Sequence, residues 1–158
     1  MRPLIAAVLT LAAAAVLAAG AGAAGGRGVV HDAAARGRPT VTVAPSRFGR
    51  IITDGRGFTL YLFTRESTTR SECYGACAKA WPPLILRGRL TAGAGAHRSI
   101  LGTTRRRDGS RQVTYRGHPL YYFVGEKHAG EIFCQNVNEF YGDWLIVNPD
   151  GSPNRSPH

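Results

Sequence analysis

The pattern Gly-x-x-Leu-Tyr-x-Phe-x-x-Glu occurs twice in this chain of 158 residues, first over residues 57–66 and again over residues 117–126. A tryptophan follows each copy, Trp81 after the first and Trp144 after the second. Repetition in register over this distance indicates two copies of one supersecondary unit that share a core. We therefore expect each tryptophan to pack inside its own repeat. The repeated positions are Tyr61, Phe63, Glu66, Trp81, Tyr121, Phe123, Glu126 and Trp144.

Short runs of strand-forming residues alternate with Gly-rich and Asp-Gly turns along the chain, which is the pattern of antiparallel hairpins. The one candidate helix lies near residues 74–81 and ends at Pro82-Pro83, because proline cannot continue a helix. The chain is therefore predicted to be mostly β, with two pseudo-symmetric antiparallel β repeats forming one small domain and at most a short helix near 74–81. The predicted strands cover residues 40–43, 51–53, 58–63, 99–104, 112–115, 120–123 and 144–147.

Domain boundaries follow from the same pattern. The secreted two-repeat domain is predicted over residues 40–151, and residues 152–158 are expected to be a disordered tail. Residues 87–98, rich in Gly and Ala, are expected to form a mobile link between the repeats. Residues 51–53 and 58–63 are expected to form a hairpin, with the second strand covered on both faces because both carry bulky apolar side chains.

The N-terminal residues 1–24 have the layout of a secretory signal peptide. Arg2 is followed by an apolar stretch and then by small residues that suit a cleavage site near Ala23 or Ala24. The alternative is an uncleaved membrane anchor, since the apolar run approaches the length of about 20 residues that spans a bilayer. No cysteine precedes Cys73, so lipid attachment at a mature N-terminal cysteine is not expected. Residues 25–39 are predicted to be a flexible linker.

The chain is strongly basic, with a formal net charge of +10, and 18 of its 20 basic residues are arginine. In an exported protein this charge favours weak attraction to anionic envelope polymers. The partner is otherwise unknown, and an envelope protein is the other possibility. Nucleic-acid binding is not predicted, because many arginines lie in separate turns rather than on one face.

Three cysteines, Cys73, Cys77 and Cys134, are the disulfide candidates. An exported chain favours one disulfide, and the short separation favours Cys73 with Cys77, although Cys134 could pair with either. One thiol must stay unpaired within the monomer. A c-type haem is excluded because Cys-x-x-Cys-His is absent, and zinc would need Cys134 together with His118 or His128.

The motif tyrosines and glutamates allow two interpretations. Tyr61 with Glu66, and Tyr121 with Glu126, could form proton-transfer pairs or part of a cation site. A structural role is favoured, in which each carboxylate accepts backbone N–H groups of the following turn and each tyrosine bonds through its hydroxyl. The other aromatic residues are expected to form the core rather than a platform for a glycan or a quinone, with Tyr122 and Tyr141 as the candidates for surface exposure.

These motifs also carry a family resemblance. Leu60-Tyr61-Leu62-Phe63, Cys73-x3-Cys77 and Ala80-Trp81-Pro82-Pro83-Leu84 resemble the first half of a bacterial family of secreted repeat proteins and lipoproteins that share a Tyr-x4-Asp motif. The segments 117–123 and 138–147 resemble its second half. The resemblance covers residues 46–151 and implies secretion, but no established activity. The motif aspartate is replaced by Glu66 and Glu126, and the lipobox of the lipoprotein members is absent.

The sequence therefore predicts an exported, non-enzymatic envelope or extracellular protein with no catalytic residues, no cofactor and no metal. No phosphate loop, nucleophile elbow or zinc-protease motif is present. The alternative is a redox or metal-binding accessory protein of the cell envelope. Metal analysis and an absorption spectrum of protein from the native host would distinguish the two.

Overall fold

The computed structural model describes Arg38, residues 40–67 and residues 69–157. The predicted signal peptide lies outside the described residues, as does the predicted linker apart from Arg38. The described part contains eight strands, one short helix and one 3-10 turn at Arg98–Ile100. The strands and helix are β1 (Val41–Ser46), β2 (Gly49–Asp54), β3 (Tyr61–Phe63), α1 (Ala76–Ala80), β4 (Leu101–Arg105), β5 (Arg111–Tyr115), β6 (His118–Pro119), β7 (Val137–Glu139) and β8 (Gly142–Ile146).

The strands form three small antiparallel sheets. β1 pairs with β2, β4 pairs with β5 and β5 with β6, and the third sheet has the order β3-β8-β7. The prediction of a mostly β fold with one short helix near residues 74–81 is confirmed. Among the described residues, no helix is long and apolar enough to cross a membrane.

The two repeats exchange strands. β3 belongs to the first repeat but pairs with β8 of the second, with Tyr61 opposite Ile146 and Phe63 opposite Trp144. In return, Tyr121 of the second repeat bridges Pro83 of the first. The predicted hairpin over 51–63 therefore forms only at its turn, where Thr53 bridges Thr59. From Tyr61 onward the chain leaves β2 for the other repeat.

A pseudo-two-fold axis passes between Tyr61 and Tyr121. The N–H of each tyrosine donates to the carbonyl of the other, both at 2.9 Å. Equivalent bonds recur on the two sides of this axis. Ile52 N–H donates to Val147 O at 2.8 Å, and Val113 N–H donates to Leu84 O at 2.9 Å. The duplicated sequence thus becomes an interlocked pair in which each repeat completes the other.

The core divides into two clusters that lie on opposite faces of β3. Leu60 and Leu62 belong to a mainly aliphatic cluster with side chains of β1, β5 and β8. Tyr61 and Phe63 belong to an aromatic cluster that includes both tryptophans. The expectation that this strand is covered on both faces agrees with the structure, since Leu60–Phe63 are all at most 2% exposed.

Two segments differ from the prediction. Residues 87–98 were expected to be a mobile link, but their backbone runs along β1: Thr40 N–H donates to Thr91 O at 2.9 Å and Gly93 N–H to Val41 O at 2.7 Å. The expected disordered tail also folds back over residues 152–157. Asn154 is 6% exposed, and its N–H donates to Ile146 O at 2.9 Å. The first segment bonds largely through its backbone, which leaves little side-chain pattern in the sequence. The second is also held by side chains, since Asn154 Nδ2 donates to Phe48 O at 3.1 Å and Gln135 Nε2 donates to Asn154 O at 2.8 Å.

Strand exchange predicts that neither repeat folds alone. Fragments 40–97 and 98–157 each lack the strand that pairs with their motif strand, so each would expose its aromatic face and unpaired backbone groups. Circular dichroism and amide NMR should show both fragments unfolded separately and a folded complex after mixing. A stably folded single fragment would contradict the exchanged arrangement.

Candidate functional site

The motif tyrosines and glutamates pair between the repeats. The Tyr61 hydroxyl donates to Glu126 Oε1, and the Tyr121 hydroxyl donates to Glu66 Oε1. The alternative of pairs within one copy, Tyr61 with Glu66 and Tyr121 with Glu126, is therefore not what the structure shows. The reason is the strand exchange, which carries each tyrosine across the axis to the carboxyl group of the other copy.

Each carboxyl group also holds a loop of its own repeat. Glu66 Oε1 accepts the N–H of Glu72 at 2.8 Å, and Glu126 Oε1 accepts the N–H of Phe133 at 3.1 Å. Each glutamate also closes a turn, because its own backbone N–H donates to the carbonyl of the motif phenylalanine three residues earlier. One oxygen thus ties the loop of one repeat to the tyrosine of the other.

Four aromatic rings form a column across the axis. Trp81 and Trp144 stack face to face with centroids 4.0 Å apart and planes inclined by 2°. Phe63 stacks on the outer face of Trp144 at 4.3 Å, and Phe123 packs against Trp81 at 4.9 Å with its plane tilted by 43°. The faces of both tryptophans are therefore covered by the other repeat, which corrects the expectation that each packs inside its own.

The edge contacts of the tryptophans remain within each repeat. Tyr61 meets Trp81 at 5.2 Å and 75°, and Tyr121 meets Trp144 at 5.2 Å and 90°. Edge-to-face and offset-stacked pairs are the geometries that aromatic quadrupoles favour. Both indole N–H groups are satisfied by Glu139, through its carboxylate at 2.9 Å from Trp81 and its carbonyl at 3.3 Å from Trp144.

The two tyrosine–carboxyl pairs differ in what lies behind them. Behind Tyr121, Ser71 Oγ lies 2.7 Å from the phenol oxygen and accepts from Arg106 Nη1 at 2.6 Å. Arg106 is 5% exposed and also donates to Gln112 Oε1 and to the carbonyl of Cys73. Sequence reasoning missed this buried cation because it lies in the run 105–107, which reads as a solvated turn.

Burial governs the protonation of the carboxyl groups. It raises the pKa of Glu66 to about 7, although the bonds from Tyr121 and from the Glu72 backbone act in the opposite direction. Burial also raises the pKa of Glu126. Within the described residues, Glu66 Oε2 has no hydrogen-bond partner. The site can therefore hold a proton near neutral pH, but it holds that proton in the interior.

The sulfur atoms lie at the edge of the aromatic cluster. Cys73 and Cys77 form a disulfide, and Cys134 is a free, partly buried thiol. Burial raises the pKa of the Cys134 thiol to about 11, so the nucleophilic thiolate is scarce at neutral pH. Among the described residues, no three His, Cys, Asp or Glu side chains are grouped as metal ligands would be.

The comparison with protein families agrees with this geometry. A family described as a secreted repeat of unknown function matches residues 42–85 and 102–148, more than half of the chain. The chain belongs to this family. Each matched span of the secreted-repeat family contains one copy of the tyrosine–glutamate motif and its tryptophan. No curated protein and no solved structure matches the chain.

All eight motif positions of this secreted repeat meet in one cluster, so the structure brings together what the sequence singled out. Of the two aromatic residues expected at the surface, Tyr141 is 93% exposed. Tyr122 is half-buried, and its hydroxyl donates to Asp54 Oδ2 at 3.1 Å. Glu139, Ser71 and Arg106 were missed because each stands outside the repeated frame.

Removing one tryptophan should destabilise the whole domain. Trp144→Ala opens a cavity between Trp81, Phe63 and Tyr121, and truncation of a buried tryptophan costs about 3–5 kcal/mol. Urea unfolding should show this loss, whereas Tyr141→Ala should change stability by less than about 0.5 kcal/mol. Equal stability of the two variants would contradict the stacked core.

The raised pKa of Glu66 predicts a pH-dependent stability with a definite sign. Because the folded pKa exceeds the unfolded value, the contribution is fully present below the unfolded pKa and is lost as pH rises through about 7. Relative to Glu66→Gln, the natural protein should lose about 1–3 kcal/mol of unfolding free energy between about pH 5 and pH 8. If the unfolding free energies of the two proteins changed in parallel with pH, the raised pKa of Glu66 would be contradicted.

Proposed function

We propose that this chain is exported and acts as a non-enzymatic binding or structural protein of the cell envelope or the extracellular space. The observation that carries the proposal is the burial of its repeated motif. Seven of the eight motif side chains are at most 7% exposed, and Phe123 is half-buried. A catalytic acid, base or nucleophile has to reach its substrate, whereas these side chains bond to one another.

The chemistry of the motif supports the same proposal. The tyrosine hydroxyls and the bonded carboxyl oxygens are used in joining the repeats. The free thiol of Cys134 is protonated at neutral pH, which makes it a weak nucleophile. The motif therefore joins the two repeats into one scaffold, and a partner would bind to the surface of that scaffold.

Export is proposed from the N-terminal sequence and from the family, which is described as secreted. In the native host the protein should be found outside the cytoplasm, and its intact mass should show removal of the N-terminus near Ala23 or Ala24. Leu9→Arg interrupts the apolar stretch and should leave the chain unprocessed in the cytoplasm. Envelope protein that still begins at Met1 would favour a retained anchor instead.

The non-enzymatic part of the proposal has its own test. Tagged protein should capture an envelope component whose mass stays unchanged on incubation. The double variant Glu66→Gln, Glu126→Gln keeps the shape of both carboxyl groups and should capture the same component. A component altered by the natural protein but not by the variant would contradict the proposal, and bound metal or haem would favour the redox or metal-binding alternative.

A further inference from the structure

A cleft of about 460 Å³ lies on the outside of the first repeat, beside the half-buried Tyr122. One wall is the turn Asp54–Arg56 that follows β2, and the other is the segment Pro83–Arg87. Arg38, Thr40 and Arg89 complete the rim. None of the motif side chains discussed above lines this cleft, so it is a separate surface.

The cleft is strongly positive. Its four arginines are Arg38, Arg56, Arg87 and Arg89, and all four are exposed. Within the described residues, no carboxylate forms an ion pair with Arg38, Arg87 or Arg89. Like charges around one concavity repel one another, and an anionic ligand would relieve that repulsion.

The only carboxylate in the lining, Asp54, is already saturated. It is 4% exposed, and its Oδ1 accepts the backbone N–H groups of Arg56 and Phe58 at 2.8 and 3.0 Å. Its Oδ2 accepts from Arg56 Nε at 2.9 Å and from the Tyr122 hydroxyl at 3.1 Å. Asp54 therefore fixes Arg56 rather than closing the cleft.

These contacts order the Arg56 side chain before any ligand binds. Its guanidinium lies 4.8 Å from the Phe58 ring centre and 5.9 Å from that of Tyr122. The bond to Asp54 uses Nε and not the Nη1–Nη2 edge of the guanidinium, and the Tyr122 hydroxyl is a further polar neighbour of Arg56. A guanidinium fork binds two oxygens of one phosphate or carboxylate, and a side chain that is already ordered loses less entropy on binding.

In the second repeat, the position equivalent to this cleft is filled by a side chain. Gly88 and Gly151 occupy equivalent turns, 63 positions apart like the two tryptophans, with φ of 86° and 85°. Arg87 and Arg89 flank Gly88, whereas Asp150 and Ser152 flank Gly151.

Arg116, the counterpart of Arg56, fills this place in the second repeat. It donates to Asp150 O at 3.0 Å and packs on Gly151, where a Cβ would meet its side chain at 2.5 Å. A Cβ at Gly88 would meet nothing within 4 Å. The two equivalent turns thus differ: the one at Gly88 borders an open, basic cleft, and the one at Gly151 is packed against Arg116.

We infer that the open cleft binds a chain of phosphodiester groups, such as a poly(glycerol phosphate) of the cell envelope. Four arginines around one concavity can contact successive charges of a flexible polymer, and the fork of Arg56 suits a phosphate. Pro83, Leu84 and Leu86 form an apolar wall for the carbon chain between phosphates. The inference rests on the proposed function, because export brings the chain into contact with such polymers.

Binding of poly(glycerol phosphate) to the full secreted chain, measured by calorimetry at several salt concentrations, tests this inference. The triple variant Arg56→Gln, Arg87→Gln, Arg89→Gln should bind at least about tenfold more weakly, and its salt slope should fall by about 2, since each lost phosphate contact removes about 0.7. The triple variant Arg98→Gln, Arg105→Gln, Arg155→Gln changes the net charge equally at exposed sites outside the cleft. It should bind within about twofold of the natural chain.

The double variant Arg87→Gln, Arg89→Gln leaves the bonds of Asp54 intact, so its loss of binding cannot be ascribed to misfolding. Equal weakening of the cleft and control variants would overturn the inference, because net charge alone would then explain binding. Equally tight binding of polygalacturonate, a polycarboxylate, would overturn the assignment of a phosphodiester ligand. Tighter binding of oligothymidylate would indicate a nucleic acid rather than an envelope polymer. Absence of any binding by a correctly exported chain would refute the cleft and leave the proposed function standing.

Discussion

The reciprocal pairing of Tyr61 with Tyr121 is the interaction on which the rest of the structure depends. Two backbone bonds of 2.9 Å place the motif strands side by side across a pseudo-two-fold axis. Each strand then has to take its second partner from the other repeat, as Tyr61 does with Ile146 and Tyr121 with Pro83. The stacked tryptophans and the exchanged hydroxyl–carboxyl bonds follow from this geometry. Stability is therefore a property of the pair, and a change at the axis acts on both repeats.

Two buried carboxyl groups at such an axis are costly. Burial disfavours the charged form, and this cost appears as the raised pKa of Glu66 and Glu126. Loss of one partner would leave the other polar group buried and unsatisfied, which is more destabilising than the net value of the bond itself. Each carboxyl group also joins a loop of one repeat to the tyrosine of the other. We interpret the pairs as devices that specify the exchanged pairing over other packings of the same apolar residues. The pH comparison of the natural chain with Glu66→Gln measures the cost of one of them.

The repeat in the sequence was enough to predict the members of the buried cluster and the β class. It could not predict the partners, because a period shows which positions are equivalent and not which copy each one touches. Tyr61 with Glu66 and Tyr61 with Glu126 satisfy the same frame, and only the strand exchange selects the second. Residues 87–98 escaped prediction because Gly93 and Ala94 bond to β1 through their own backbone groups, which leave no side-chain pattern in the sequence. Arg106 escaped because its neighbours, Arg105 and Arg107, are exposed as a charged turn should be.

The two repeats share their buried motif residues and differ in their exposed turns. This contrast indicates which surface would bind a ligand. Duplication preserved the tyrosine, phenylalanine, glutamate and tryptophan positions, since each is needed by the partner repeat for burial. The equivalent turns around Gly88 and Gly151 differ: two arginines flank Gly88, whereas Gly151 is flanked by Asp150 and by Ser152, whose hydroxyl donates to Asp150 Oδ1. In the first repeat, Arg56 is bonded to Asp54 and lies near two aromatic rings at the edge of an open cleft. The open cleft of the first repeat, and not the equivalent turn of the second where Arg116 packs on Gly151, is therefore the surface that fits a ligand.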